Sequence, residues 1–140
     1  MDHIAIMKKS WGLIPKILSG QKRIESRWYQ TRRAPWDTVR PGDRIFFKNG
    51  GEPVIAEAAV RDVSQFEIKT IADARKIIRE YGKAICLLHD DPKTWERLPK
   101  YCILVFLENA RAIEPFEINK KGFGAPAAWL TVADVSKIKR

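Results

Sequence analysis

Histidine, cysteine and methionine are scarce in this chain, with two of each in 140 residues. Cys86 and Cys102 stand far apart inside apolar runs and make no C-x-x-C, so they read as two buried thiols rather than a disulfide or a metal pair. His3 and His89 do not complete a structural zinc set with them. No apolar run is long enough to span a bilayer. In Met1–Lys9 the basic residues follow the apolar ones, the reverse of a signal peptide, so the expectation is a soluble, cytoplasmic protein. Acidic residues are also short, 17 against 26 basic, leaving a net charge of +9. A surplus of that size suits a polyanionic partner. Repeats, linkers and low-complexity tracts are missing too. The length is that of one domain, here 1–140, with a single core.

What is present is a series of short strands with helices between some of them. Asp2 to Met7 reads as a strand with Ile4 and Ile6 on one face. Ser10 is placed to cap a helix whose stripe is Trp11, Ile14, Ile17 and Leu18. Pro15 is tolerable there only in the first turn, which makes that helix short or late-starting. Gly20 follows as its left-handed terminator. Pro41-Gly42 predicts a type II turn, Asp43 to Lys48 a strand, Asn49-Gly50-Gly51 a hairpin, and Val54 to Val60 the return strand. Glu57 interrupts that apolar run. It either faces solvent on an edge or pairs with Lys22 or Arg27. Thr70 and Asp73 form a cap before a helix that Gly82 closes. Ala84 to Leu88 fits a strand or a buried helix. His89-Asp90-Asp91 fits a helix start better than a metal site. Tyr101 to Leu107 is an unbroken apolar strand, buried on both faces or closing a barrel, and Ala110 to Phe116 continues it or starts another. Thr131 and Asp134 predict a cap for a terminal helix, Val132 to Lys137. The sum is an α+β domain on a small, mostly antiparallel β-barrel with inserted helices.

The most distinctive stretch is Gly20-Gln21-Lys22-Arg23-Ile24-Glu25-Ser26-Arg27. If Arg23 to Trp28 is a strand, side chains alternate between faces. Ile24, Ser26 and Trp28 then share one face and can enter a core. Arg23, Glu25 and Arg27 share the other, with Lys22 at the mouth of the turn. The arrangement gathers two cations and a carboxylate in one small volume. An ordinary ion-pair row on a half-exposed strand would have the same spacing.

Written as a pattern, the stretch is G-x-K-x-x-E-x-R, and it resembles the signature of the ASCH domain family of the PUA-like superfamily. Gly20, Lys22, Glu25 and Arg27 match that signature, and Gly42-Asp43 matches the Gly-Asp pair that opens the next strand. The resemblance implies a PUA-like barrel in which the helix, turn and strand carrying the motif line a cleft for nucleic acid or a modified nucleoside.

Tyr29 to Pro41 adds Arg32, Arg33, Trp36 and Arg40 in a stretch without helical or strand period. A loop of this length in a small domain is a usual place for function. Guanidinium groups interleaved with an aromatic suit phosphate contact and base stacking. Trp36 could equally plug the core beneath a solvated loop. Asn119-Lys120-Lys121-Gly122-Phe123-Gly124 is a second basic loop with one aromatic, and it too fits either a nucleotide contact or a solvated turn.

Three activities follow as expectations. The first is binding of RNA, or single-stranded nucleic acid more generally, by Lys22, Glu25, Arg27, Arg32, Arg33, Trp36 and Arg40, with Tyr29 or Phe123 as further stacking surfaces. The second comes from the resemblance. Some small ASCH proteins remove the acetyl group of N4-acetylcytidine with the motif lysine, a hydroxyl residue and a glutamate. Lys22, with Glu25, would be catalytic here. However, Glu25 stands where those enzymes carry threonine, and a carboxylate beside a lysine favours the charged form, which opposes base catalysis. The third is ribonuclease chemistry by the same pair. A partner-binding module with solubilising charge is the remaining alternative. No metal or cofactor is expected, and the default oligomeric state is a monomer.

Overall fold

In the computed structural model the described residues are 1–86, 95–124 and 127–140. Six strands form one curled sheet in the order β2-β5-β4-β3-β1-β6: β1 Asp2–Met7, β2 Ile24–Tyr29, β3 Arg44–Asn49, β4 Val54–Glu67, β5 Tyr101–Phe116 and β6 Trp129–Val132. Only the β1–β3 pairing is parallel; the other four are antiparallel. Among the described residues two α-helices, α1 Leu13–Leu18 and α2 Ile71–Ile85, complete a half-barrel, the α+β small-barrel class expected. Among the described residues no helix is long and apolar enough to cross a membrane.

The curl comes from β4 and β5. Their register shifts between Val54 and Ala56, between Glu57 and Ala59, and between Val60 and Asp62. Each irregularity bends the pair. The apolar run at the start of β5 is buried on both faces, as an unalternating strand requires. Ile103 and Val105 enter the core inside the curl, while Cys102 and Leu104 enter a second core beneath α2. The segments 101–107 and 110–116 are one strand, and the return strand after the hairpin runs on to Glu67.

Local signals are kept where nothing outweighs them. Thr70 and Asp73 form a reciprocal capping box at the start of α2. Gly42 has φ 92°, as a type II turn demands of its third residue. Elsewhere tertiary packing prevails. Gly82 does not close α2, because Tyr81, Ala84 and Ile85 go on packing into the second core; Cys86, with φ 59°, is the actual terminus. That burial offsets the roughly 1 kcal/mol that an interior helix glycine costs. Ser10 lies within a 3-10 turn, Lys9–Trp11, and left-handed Gly12 precedes α1 instead. Pro15 is the third residue of α1, inside its first turn. The C-terminal reading is corrected as well. Thr131 belongs to β6, opposite His3, because β1 offers an unpaired edge. Asp134 alone caps a 3-10 turn, Val135–Lys137, accepting from the Ser136 N–H. Glu57 pairs with Arg111 on the neighbouring strand, not with Lys22 or Arg27. Cys86 is half-buried rather than buried. His89, Asp90 and Asp91 lie outside the described residues.

Candidate functional site

The half-barrel leaves a seam. β2 ends the sheet on one side and β6, beside β1, ends it on the other. Lys22, Glu25 and Arg27 sit at that seam, brought there by the turn after α1. Gly20 makes the turn possible with φ 82° and donates its N–H to the Ile17 carbonyl at 3.1 Å. The Lys22 N–H then returns to Lys16 O at 2.9 Å. Ile24 is buried in the core under α2 with Trp28 packed against it, and Glu25 and Arg27 line a hollow that Ser26 and Trp28 also reach.

Each of the three has different company. Lys22 is 2% exposed. Its ammonium donates to Ile24 O at 2.8 Å and to Ile85 O at 2.6 Å, so it ties the end of α2 to the start of β2. Its distance to Glu25 Oε1 is 3.8 Å. Arg27 donates to the Ala128 carbonyl at 3.3 Å, lies 3.6 Å from Met7 Sδ, and covers the Trp129 ring at 5.3 Å. Arg27 therefore bridges the seam from β2 to β1 and β6. Its distance to Glu25 Oε2 is 3.9 Å. Glu25 is thus within ion-pair range of both cations and hydrogen-bonded to neither. Among the described residues only two buried side-chain polar atoms lack a hydrogen-bond partner, and Glu25 Oε2 is one, Gln30 Oε1 the other.

A hollow of about 180 Å³ lies against these groups, walled by Met7, Trp11, Leu13, Lys22, Glu25 and Arg27. It is smaller than the roughly 300–1,000 Å³ of pockets for drug-sized ligands. Glu25 lines it, and the enclosed Oε2 of that side chain is a spare acceptor without a hydrogen-bond partner.

The remaining predicted residues are dispersed. Arg32 pairs with Glu67 at 2.7 Å and lies over the Trp36 and Tyr101 rings at 5.9 and 5.4 Å. Trp36 packs edge-on to Tyr101, with centroids 5.0 Å apart, against the inner core. It plugs the barrel rather than facing the seam hollow. Arg40 lies at another depression, beside Asp37 and Gln65. Arg33 is nearer the seam: its guanidinium stacks over Tyr29 at 4.4 Å, and Tyr29 lines the hollow.

No protein-family model matches the chain, and neither does any curated protein. Solved structures do match. The ASCH protein of Zymomonas mobilis aligns over 99% of this chain and 96% of its own, with a TM-score of 0.70 at 16% identity. The chain has the ASCH-domain fold. A tyrosine-to-phenylalanine variant of the Zymomonas mobilis ASCH protein aligns over 97% of this chain and 93% of its own, with a TM-score of 0.69 at 18% identity. A serine-to-alanine variant gives 0.69 over 97% and 91% at 19% identity. In this ASCH fold the motif residues Lys22, Glu25 and Arg27 converge at the barrel seam, and Asp43 of the Gly-Asp pair directly precedes β3.

Asp43 leads to a group that sequence reasoning passed over. It accepts from His3 Nε2 at 2.7 Å, from the Arg40 backbone N–H at 3.0 Å and from the terminal amine at 3.1 Å. Burial by itself would raise the Asp43 carboxyl, but these hydrogen bonds outweigh it and hold the group below its ordinary range. His3 is fully buried, and that desolvation pushes its imidazole below the usual value against the pull of Asp43. A histidine in a strand carries no sequence signal for burial.

The helix α2 carries another feature overlooked in the sequence. Arg75, Arg79 and Lys83 are exposed at i, i+4 and i+8, one row along the helix, and none has a carboxylate within 4 Å among the described residues. Like charges at this spacing disfavour a helix. The row ends at Lys83, near the C-terminus of the helix. Its spacing was legible in the sequence.

Proposed function

We propose that the protein binds RNA, or single-stranded nucleic acid more generally, by taking one unpaired base into the seam hollow. The observation that carries this reading is Glu25 Oε2, a buried acceptor without a hydrogen-bond partner on a side chain that lines the hollow. A base with an exocyclic amine supplies a donor; glutamate accepting from cytosine N4 is a recurrent pairing. The net charge of +9 supports phosphate attraction. The α2 row and Arg33 are exposed cations available to provide it. The hollow is too small for a duplex, which favours a single strand with its base turned out.

Titrating cytidine and uridine homo-oligonucleotides at fixed salt tests the idea. Oligo-C is expected to bind about tenfold more tightly than oligo-U, within the 1–3 kcal/mol a good base-edge pair provides. Glu25→Gln should reduce that preference. Equal affinity for the two oligomers in the unmodified protein, or no binding at low salt, would sink the reading.

Hydrolysis of N4-acetylcytidine is a second reading, favoured by a spare acceptor beside the hollow, Glu25 Oε2. Against it, Lys22 already donates to the Ile24 and Ile85 carbonyls at 2.8 and 2.6 Å, and moving to a substrate would break the bonds that tie α2 to β2. The nearby Ser26 hydroxyl is engaged by Trp28 Nε1 at 3.1 Å. Release of cytidine from N4-acetylcytidine by the protein, abolished by Lys22→Met, would establish this alternative.

A further inference from the structure

A second hollow, of about 300 Å³, lies beyond Tyr29, between Arg33, Phe123 and Trp129. Tyr29 lines both hollows. Arg27 stands at the same divide, since its guanidinium bonds to Ala128 O at 3.3 Å and covers Trp129, and both of those residues line the second hollow. The partition between the hollows is therefore a tyrosine with a guanidinium on each side, Arg27 from β2 and Arg33 stacked on its ring at 4.4 Å.

The chemistry of the two hollows differs. The first has a buried carboxylate with one oxygen unpartnered. The second has no carboxylate among its lining residues; it offers aromatic faces and one exposed cation. Arg33 has no carboxylate within 4 Å among the described residues, so its charge is not neutralised internally. Aromatic faces with a neighbouring guanidinium accept any base by stacking, without reading its edge.

We infer that the second hollow is a subsite for the nucleotide adjacent, along one strand, to the nucleotide whose base occupies the first. This rests on the proposed function and extends it: the ligand is at least a dinucleotide, read by its edge at one position and by stacking at the other. The phosphate joining the two nucleotides lies at the partition, between Arg27 and Arg33. An unselective second position follows from the lack of a base-edge acceptor.

Calorimetric or fluorescence titration with cytidine monophosphate, CpA, CpU, ApC and UpC tests it. In one of the two polarities the dinucleotides are expected to bind at least about fivefold more tightly than the mononucleotide, the lower end of what one stacked base provides. Adenine and uracil at the second position should differ little. Arg33→Gln, at an exposed side chain, should bring the ratio of dinucleotide to mononucleotide affinity close to one, and Phe123→Leu should lower it independently. Binding of the mononucleotide with no gain from a second nucleotide would overturn this inference alone. A gain that survives both substitutions would do so too. No binding of any of the five would overturn the proposed function with it.

Discussion

The indole N–H of Trp129 lies 3.2 Å from Nδ1 of His3. An indole nitrogen only donates, so Nδ1 must carry a lone pair and the proton sits on Nε2, which donates to Asp43 at 2.7 Å. The Thr131 hydroxyl, 3.0 Å from the same Nδ1, can turn its proton toward it as well. His3 is therefore neutral in the fold, in one tautomer. Trp129 is also the ring beneath Arg27, so the buried imidazole supports the seam from behind.

That tautomer makes stability depend on pH. The His3 imidazole is depressed by burial in the folded protein, whereas unfolded it protonates near its ordinary value of 6.5. Below that value the unfolded chain binds the extra proton and the folded chain does not, so the contribution of His3 is complete above 6.5 and is lost as pH falls toward the folded value. The melting temperature is expected to drop by on the order of a few degrees between pH 7.5 and 5.5. His3→Gln should flatten that segment. Asp43, which is held low, acts in a separate window below the ordinary carboxylate range. An equal slope in the two proteins from 7.5 to 5.5 would refute the assignment.

Lys22 closes the fold as well as facing the hollow. Lys22→Met would leave the carbonyls of Ile24 and Ile85 without their donor, and Glu25 without one of its two nearby cations. Each buried acceptor left unsatisfied costs about 1–3 kcal/mol. A loss of about 3 kcal/mol in chemical denaturation is expected, with an unchanged slope against denaturant. A loss below about 1 kcal/mol would mean that the ammonium is not what ties α2 to β2.

Gly20 is in the motif for its backbone. Its φ of 82° is in the left-handed region, and a Cβ added there would meet nothing within 4 Å. Gly20→Ala should therefore cost only the conformational strain, about 1–2 kcal/mol, and Gly20→Asn less, because asparagine tolerates this region better. Thermal melts of the two variants check the order.

The α2 row should appear in the salt dependence of RNA binding. Removing three phosphate contacts from a single-strand complex lowers the slope of log K against log salt by about 2. The triple variant Arg75→Gln, Arg79→Gln, Lys83→Gln is expected to show that change and to keep its helical circular dichroism. A slope unaltered by the triple substitution would take the row out of the interface.

The local parts of the site could be read from the chain. A glycine after a short apolar helix forces a left-handed turn, and a two-residue period then sends Glu25 and Arg27 to one face and Ile24 and Trp28 to the other. The capping box at Thr70 and Asp73 and the Asn49-Gly50-Gly51 hairpin are equally local, since each depends on backbone preferences within a few residues. Other side chains have surroundings that distant packing sets. Arg32 and Trp36 had the composition of a nucleotide loop, yet Glu67 and Tyr101 engage them, partners set by where β4 and β5 run.

The sequence by itself determined the strand carrying the motif, the turn before it, the charge surplus and the barrel class, because backbone sterics, periodicity and composition act over short stretches or over the whole chain at once. Only the tertiary structure decided that Lys22 spends its donors on a carbonyl 63 residues away, that His3 is sealed against Trp129, and that Glu25 keeps an unmatched oxygen beside a hollow. Those facts depend on which edges of the curled sheet come to face each other across the seam, and no local preference encodes that meeting.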